Sequence, residues 1–174
     1  MQKGVVRKRR ASPLSEYGQQ LSQKQELKDQ YNLRERQFKR YVTEVLSKGG
    51  MRNSAELLMQ RLEKRLDSVV FRMGMAQTRK QARQMVGHGH FLVNGRAADV
   101  PSYSIAKGDI ISLRPTSQKT ALFQNIKLTL KKYQPPSWIQ LEREKMEGTV
   151  VGEPKLEEIA PSMEVPLIFE FYSK

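Results

Sequence analysis

The chain has 174 residues, a mass of 20.1 kDa, a formal net charge of +13 and an isoelectric point near 10.1. So basic a protein suits a polyanionic partner: nucleic acid first, an anionic membrane surface second, an acidic protein third. It has no cysteine, which excludes disulfides, thiolate zinc sites and cysteine nucleophiles together.

Residues 1–13 carry Arg7, Lys8, Arg9 and Arg10 in succession and little to bury. That is the pattern of an arm that orders on phosphate. No apolar segment follows it, so it is not a secretory signal, and no later run approaches the roughly 20 apolar residues of a membrane span. From Ser15 to Asn32 the spacing of Tyr17, Leu21 and Lys24 predicts a helix. Asn32 and Glu35 spell a capping box for a second helix. Its apolar face is Phe38, Tyr41, Val42, Val45 and Leu46, with Arg34, Arg36, Lys39 and Arg40 mainly off that face and Gly49-Gly50 ending it.

Asn53 and Glu56 repeat the capping signature. Behind them Leu58, Leu62, Leu66, Val69, Val70 and Met73 form one stripe, predicting a helix to about Arg72 that stops near Gly74. Thr78 and Gln81 open a third capped helix. Its inward residues are Ala82, Met85 and Val86, so Arg79, Lys80 and Arg83 are expected to project outward, and Gly87 and Gly89 end it. Phe91-Leu92-Val93 then meets Asn94-Gly95, the strongest short-range hairpin signal, with Arg96 to Ala98 as the return strand.

Pro101 to Gly108 reads as a loop and Ile110 to Leu113 as a strand. Ser117 to Tyr133 is helical, with Leu122, Phe123, Ile126, Leu130 and Tyr133 on one side, and Pro135-Pro136 breaks it. Trp138 to Leu141 reads as a helix start or a short strand, and Gly148 to Val151 as a strand. Residues 152–163 form a Pro- and Glu-rich connector. Leu167 to Tyr172 is apolar enough to need docking and is expected as a strand or an extended peg. Residues 151–174 hold 2 basic against 5 acidic residues, so the basic footprint lies upstream of them.

Catalytic chemistry finds little support. His88 and His90 are the only histidines, and without cysteine or a nearby acidic ligand they suit loop or phosphate contacts better than metal. No glycine-rich phosphate loop is present, and the carboxylates sit beside bases or in the tail. Asp67, between Leu66 and Val69, reads as a structural partner for an arginine. The third helix, with Arg79, Lys80 and Arg83 and with Arg65, Arg72 and Arg96 on neighbouring elements, makes a cationic surface whose guanidinium forks match phosphate oxygens. Its exposed positions are almost all cationic and no heptad seam is evident. Recognition of folded RNA by backbone and shape therefore fits better than sequence-specific DNA readout.

The stretch RLDSVVFRMGMAQTRKQARQMVGHGHFLVNGR resembles the small RNA-binding domain named after ribosomal small-subunit protein number four. That domain also occurs in RNA-modifying enzymes and tRNA synthetases. LSEYGQQLSQKQELKDQYNLRERQFKRYV, PPSWIQL, KMEGTV and LIFEFYSK resemble the remainder of the bacterial or organellar ribosomal protein family itself, in the right order.

The resemblance implies an α+β fold: an N-terminal helical domain, a small RNA-binding domain with a helix-turn-helix-like pair and an antiparallel sheet, and a C-terminal segment docking back. It favours the strand reading of Trp138 to Leu141. The expected divisions are 1–60 (basic arm and helical domain), 61–125 (RNA-binding domain) and 126–174 (helix, short strands and C-terminal segment).

By the same resemblance the chain is a structural component of the small ribosomal subunit and not an enzyme, in the cytoplasm of a bacterium or the interior of an organelle. It binds small-subunit rRNA, nucleates assembly of the body and supports decoding accuracy. It touches small-subunit protein five, lies near protein three and mRNA at the entry channel, and takes no cofactor, metal, membrane or small-molecule substrate. The expected RNA contacts are Arg7, Lys8, Arg9, Arg10, Arg34, Arg36, Lys39, Arg40, Arg65, Arg72, Arg79, Lys80, Arg83, His88 and Arg96. Family members carry about 40 further N-terminal residues, some with a cysteine zinc site, and this chain is expected to begin after them. The alternatives are a free regulatory RNA-binding protein and a fragment of an RNA-modifying enzyme.

Overall fold

Ser15 opens α1 (Glu16–Gln30): its hydroxyl accepts the Gly18 amide at 3.2 Å, filling one of the four orphan donors at a helix start. The computed structural model describes residues 13–49, 53–159 and 161–173, so Arg7 to Arg10 and Gly50 lie outside the described residues. Asn32 does not cap the second helix as its spacing suggested. It takes φ +51 and closes α1, with Asn32 N–H donating to Asp29 O at 3.0 Å and Leu33 N–H to Lys28 O at 3.0 Å. That is a Schellman ending, in which an asparagine tolerates the left-handed conformation.

The next helix, α2 (Glu35–Gly49), buries Phe38, Tyr41, Val42 and Val45, the face read from the sequence. The single helix expected from Ser54 to Arg72 is two: α3 (Ser54–Glu63) and α4 (Leu66–Arg72). Between them Arg65 takes φ −69 and ψ 142, the extended region. The freed amides of Leu66 and Asp67 donate to Tyr103 O (2.9 Å) and Pro101 O (3.1 Å), so the break is compensated. Asn53 makes no side-chain cap.

Gly74, at φ +79, ends α4 with Gly74 N–H on Phe71 O and Met75 N–H on Val70 O. Thr78 Oγ1 caps α5 (Arg79–Gly87) by accepting the Gln81 amide at 3.1 Å, while Gln81 Oε1 turns back to the Gln77 amide at 2.8 Å rather than to Thr78.

Five short strands follow: β1 (Phe91–Val93), β2 (Arg96–Ala98), β3 (Ile110–Leu113), β4 (Ile139–Glu142) and β5 (Glu147–Val150). They form one antiparallel sheet in the order β2-β1-β3-β5-β4. Asn94 (φ +51) and Gly95 (φ +77) make the primed turn the dipeptide signalled. Trp138 to Leu141 resolves as strand, with Ile139 opposite Val150. The helix expected over 117–133 is also divided: α6 (Pro115–Gln118) starts on a proline whose missing donor costs nothing there, and α7 (Ala121–Leu130) follows a kink. Leu122, expected inward, is exposed. Arg143 closes α7 by donating to Leu130 O (3.0 Å) and Tyr133 O (2.9 Å).

The tail departs furthest from expectation. After the short α8 (Leu156–Ile159), residues 165–173 form a helix, α9 (Val165–Ser173), not a strand or peg. Val165, Ile168 and Phe169 are buried and Tyr172 is half-buried, which is helical spacing hidden inside a nearly continuous apolar run. The docking itself is present: Phe171 lies 5.6 Å from Tyr17 and 4.8 Å from Lys24 Nζ, and Tyr172 donates to Glu35 at 2.7 Å.

Among the described residues, buried apolar side chains form two clusters. One joins α4, α5 and α7 to one face of the sheet, with Phe91, Val93, Ile111 and Val150 meeting Val70, Met73, Val86 and Phe123. The other joins α1, α2 and α3 to α9, with Leu27, Phe38, Leu58 and Leu62 meeting Ile168 and Phe169.

Gly74 is held in two ways, by its positive φ and by the Tyr133 ring, which a Cβ would meet at 2.7 Å. Gly74→Ala is expected to lower unfolding free energy by about 2 to 4 kcal/mol. Gly87→Ala, where a Cβ meets nothing within 4 Å, is expected to be neutral or up to about 1 kcal/mol stabilising. Urea unfolding of the two variants measures the difference.

Candidate nucleic-acid interface

Two carboxylates decide which arginines face solvent. Glu63, the last residue of α3, is fully buried. It accepts from Arg72 Nε and Nη2, both at 2.8 Å, from Arg79 Nη2 at 2.8 Å, and from the Tyr31 hydroxyl. The Arg79 guanidinium carbon also lies over two rings, 4.3 Å from the Tyr31 centroid and 4.5 Å from that of Phe71. Its buried Nε has no hydrogen-bond partner among the described residues.

Burial alone would raise the Glu63 carboxyl. The Arg72 hydrogen bonds, the charges of Arg79 and Arg72 and the Tyr31 hydrogen bond outweigh it and hold the group below the usual carboxylate range. The Tyr31 hydroxyl is pushed up by burial and by the Glu63 charge. Asp67 plays the same part nearby, accepting Arg65 Nε at 3.0 Å and Nη2 at 2.6 Å while Arg65 Nη1 donates to the Tyr41 hydroxyl at 2.7 Å.

The outward projection expected of Arg79 is therefore corrected: its side chain is 9% exposed, and those of Arg65 and Arg72 are 2% and 21% exposed. Lys80 is exposed as expected. Arg83 is half-buried because Nη1 donates to the Asn32 carbonyl at 2.7 Å, which fixes α5 against the α1–α2 turn. Arg34 and Arg36 follow that turn, exposed, and Lys39 and Arg40 continue along α2. Arg40 is shared with Glu44 at 3.3 Å.

Beyond the far end of α5 stand exposed His88 and then His90, whose rings are 6.1 Å apart. A Cβ on the intervening Gly89 would lie 3.9 Å from Arg114 Nη2. Burial, then the charges of His88 and Arg114, lower the His90 pKa, and its Nδ1 meets Ser117 Oγ at 2.8 Å. Among the described residues Arg34, Arg36, Lys39, Lys80, Arg83 and Arg114 have no carboxylate within ion-pairing distance. The α1–α2 turn, the outer face of α5 and the His88–Arg114 corner thus form one cationic strip. Arg96 lies apart from it, exposed on edge strand β2.

Sequence reasoning missed Glu63, Tyr31, Tyr41 and Arg114. For Glu63 the signal was available: it follows Met59 by four residues on the buried face of α3. For Arg114 there was none, since its role depends on how β3 hands over to α6. Among the described residues no group of three His, Asp or Glu could hold a metal ion, and no helix is long and apolar enough to cross a membrane.

Comparison with known proteins bears on the whole chain. Residues 1–63 match the family profile described as ribosomal protein S4/S9 N-terminal domain, and residues 64–111 match the S4 domain. The chain is 45% identical, over 99% of its length, to small ribosomal subunit protein uS4 of Persephonella marina, of which it covers 83%. Against the protein of that name from Herpetosiphon aurantiacus it is 46% identical over 95% of its length, covering 78%. Against that from Streptococcus pneumoniae it is 42% identical over 94%, covering 79%.

Glu63→Gln leaves two guanidinium charges uncompensated in the interior and is expected to cost about 3 to 5 kcal/mol. The pH dependence follows from the depressed carboxyl. The stabilisation from Glu63 is complete above its unfolded pKa of about 4.3 and disappears as pH falls through the lower folded value, because the unfolded chain binds the proton first. Chemical denaturation from pH 7 to pH 3 is expected to give the wild type a steeper acid loss than Glu63→Gln.

Proposed function

The chain belongs to the family of small ribosomal subunit protein uS4, and on that premise we propose that it binds small-subunit rRNA through the strip running from the α1–α2 turn across α5. It is a structural ribosomal protein and not an enzyme. The observation that carries the reading is the separation of its arginines. Arg65, Arg72 and Arg79 are neutralised by internal carboxylates, whereas Arg34, Arg36, Lys39, Lys80 and Arg83 have none within ion-pairing distance among the described residues. A phosphate backbone supplies the missing anions, and release of its counterions drives the association.

In this reading Arg34, Arg36, Lys39, Arg40, Lys80, Arg83, His88 and Arg96 contact RNA, as do Arg7, Lys8, Arg9 and Arg10. Arg65, Arg72 and Arg79 position the scaffold rather than touch phosphate. Holding two rRNA segments against one rigid scaffold is how the protein nucleates assembly of the subunit body. Contacts with small-subunit proteins five and three, a place beside the mRNA entry channel and a contribution to decoding accuracy are part of the same proposal, supported by the family membership.

Filter binding to small-subunit rRNA across a salt series tests it. Log affinity is expected to fall steeply with log salt, and each of Lys80→Ala and Arg36→Ala, both exposed, is expected to reduce the slope by about 1 without changing the thermal melt. Arg79→Ala is expected to lower the melting temperature instead. Salt-independent binding, or unchanged slopes in both variants, would overturn the proposal.

A further inference from the structure

Between the α4–α5 connection and α7 lies an open cleft of about 850 Å³, within the size range of small-ligand sites. Phe71, Ile126 and Tyr133 give it apolar and aromatic walls. Phe71 is held from one side by the Arg79 guanidinium, and Tyr133 is seated on Gly74 and anchored by its hydroxyl on Arg72 O at 2.9 Å. The amides of Gln81 and Asn125 stand at the rim with Lys132, which is exposed. No carboxylate lines the cleft among the described residues. Gln81 belongs to α5, the helix that also carries Lys80 and Arg83, so the cleft and the cationic strip share that helix.

Fixed rings, the Asn125 amide with the Gln81 Nε2 donor beside it, a lysine at the rim and no acid describe a site for an unstacked nucleobase. The rings take a base face, the amides reach its hydrogen-bonding edge, and the cation meets the neighbouring phosphate. An apolar protein helix would use the floor but leave the amide and lysine rim unmatched. We propose that this cleft receives an unpaired base of the same RNA that α5 contacts. The inference rests on the RNA-binding reading above and names a further subsite for it.

The test uses the full chain on small-subunit rRNA, probed with dimethyl sulfate and a carbodiimide at base edges and with hydroxyl radicals at the backbone. The wild type is expected to protect at least one unpaired base. Asn125→Trp, which fills the cleft from an exposed helix position, is expected to restore that base's reactivity, weaken binding about ten-fold and keep the backbone footprint. Asn125→Glu is the second variant should the tryptophan disturb folding. A backbone footprint with identical base reactivities in wild type and variants would overturn the cleft proposal and leave the RNA-binding reading standing; no footprint at all would overturn both. Asn125→Cys would be the chain's sole cysteine. Its thiol labelling is expected to slow at least ten-fold with rRNA alone, whereas slowing only when other subunit proteins are added would assign the cleft to a protein and overturn the proposal.

Discussion

The ion cluster around Glu63 is the constraint on which the rest of the molecule depends. A fully buried carboxylate is costly unless it is paired and hydrogen-bonded, and here four donors from three elements converge on it. Tyr31 comes from the end of α1, Arg72 from the end of α4 and Arg79 from the start of α5. The two apolar cores do not share a buried residue. The Glu63 cluster, with the Arg65–Asp67–Tyr41 bridge, supplies directional contacts where the cores meet, and apolar burial alone would not fix the angle between them.

This interior use of arginine also sharpens the outer surface. Had Arg72 and Arg79 reached solvent, the cationic face would have been broad and uniform. With both drawn inward, the cations that α2 and α5 leave without a carboxylate partner lie at the α1–α2 turn and on the exposed side of α5, next to the corner at Arg114. The hydrogen bond from Arg83 to the Asn32 carbonyl matters in the same way, since it joins a side chain of one unit to the backbone of the other within the strip. A rigid arrangement of charges binds a particular arrangement of phosphates with less loss of side-chain freedom than a mobile one.

Much of this was legible in the sequence. The apolar faces of α2 and α5, the Asn94-Gly95 hairpin and β3 follow from period and turn chemistry, and the stretch from Arg65 to Arg96 stands out as the RNA-binding module. The breaks were not legible. A stripe from Leu58 to Met73 gives no sign that the chain turns at Arg65, because the compensating acceptors, Tyr103 O and Pro101 O, come from a distant loop. In Leu167 to Tyr172 a run apolar on nearly every side hides its period, and packing against α1, α2 and α3 selects the helix. Asn32 satisfied one local rule and obeyed another, closing α1 instead of opening α2. At Arg79 helical facing was the wrong guide: a long side chain on the flank of a helix turned back toward a carboxylate that periodicity does not register.

The packing of α9 onto α1 has a temporal consequence. The core that holds Leu27, Phe38 and Leu62 is completed by Ile168 and Phe169, which are synthesised only after the whole of the sheet unit. During translation the first helices emerge with their aromatic face uncovered, while residues 66–150 already contain every buried side chain of their own core. The middle of the chain can thus consolidate before its beginning does. The turn that bears Arg34 gains its full support only when the distal helix arrives, so a nascent chain presents half of its charged strip before the other half is held in place.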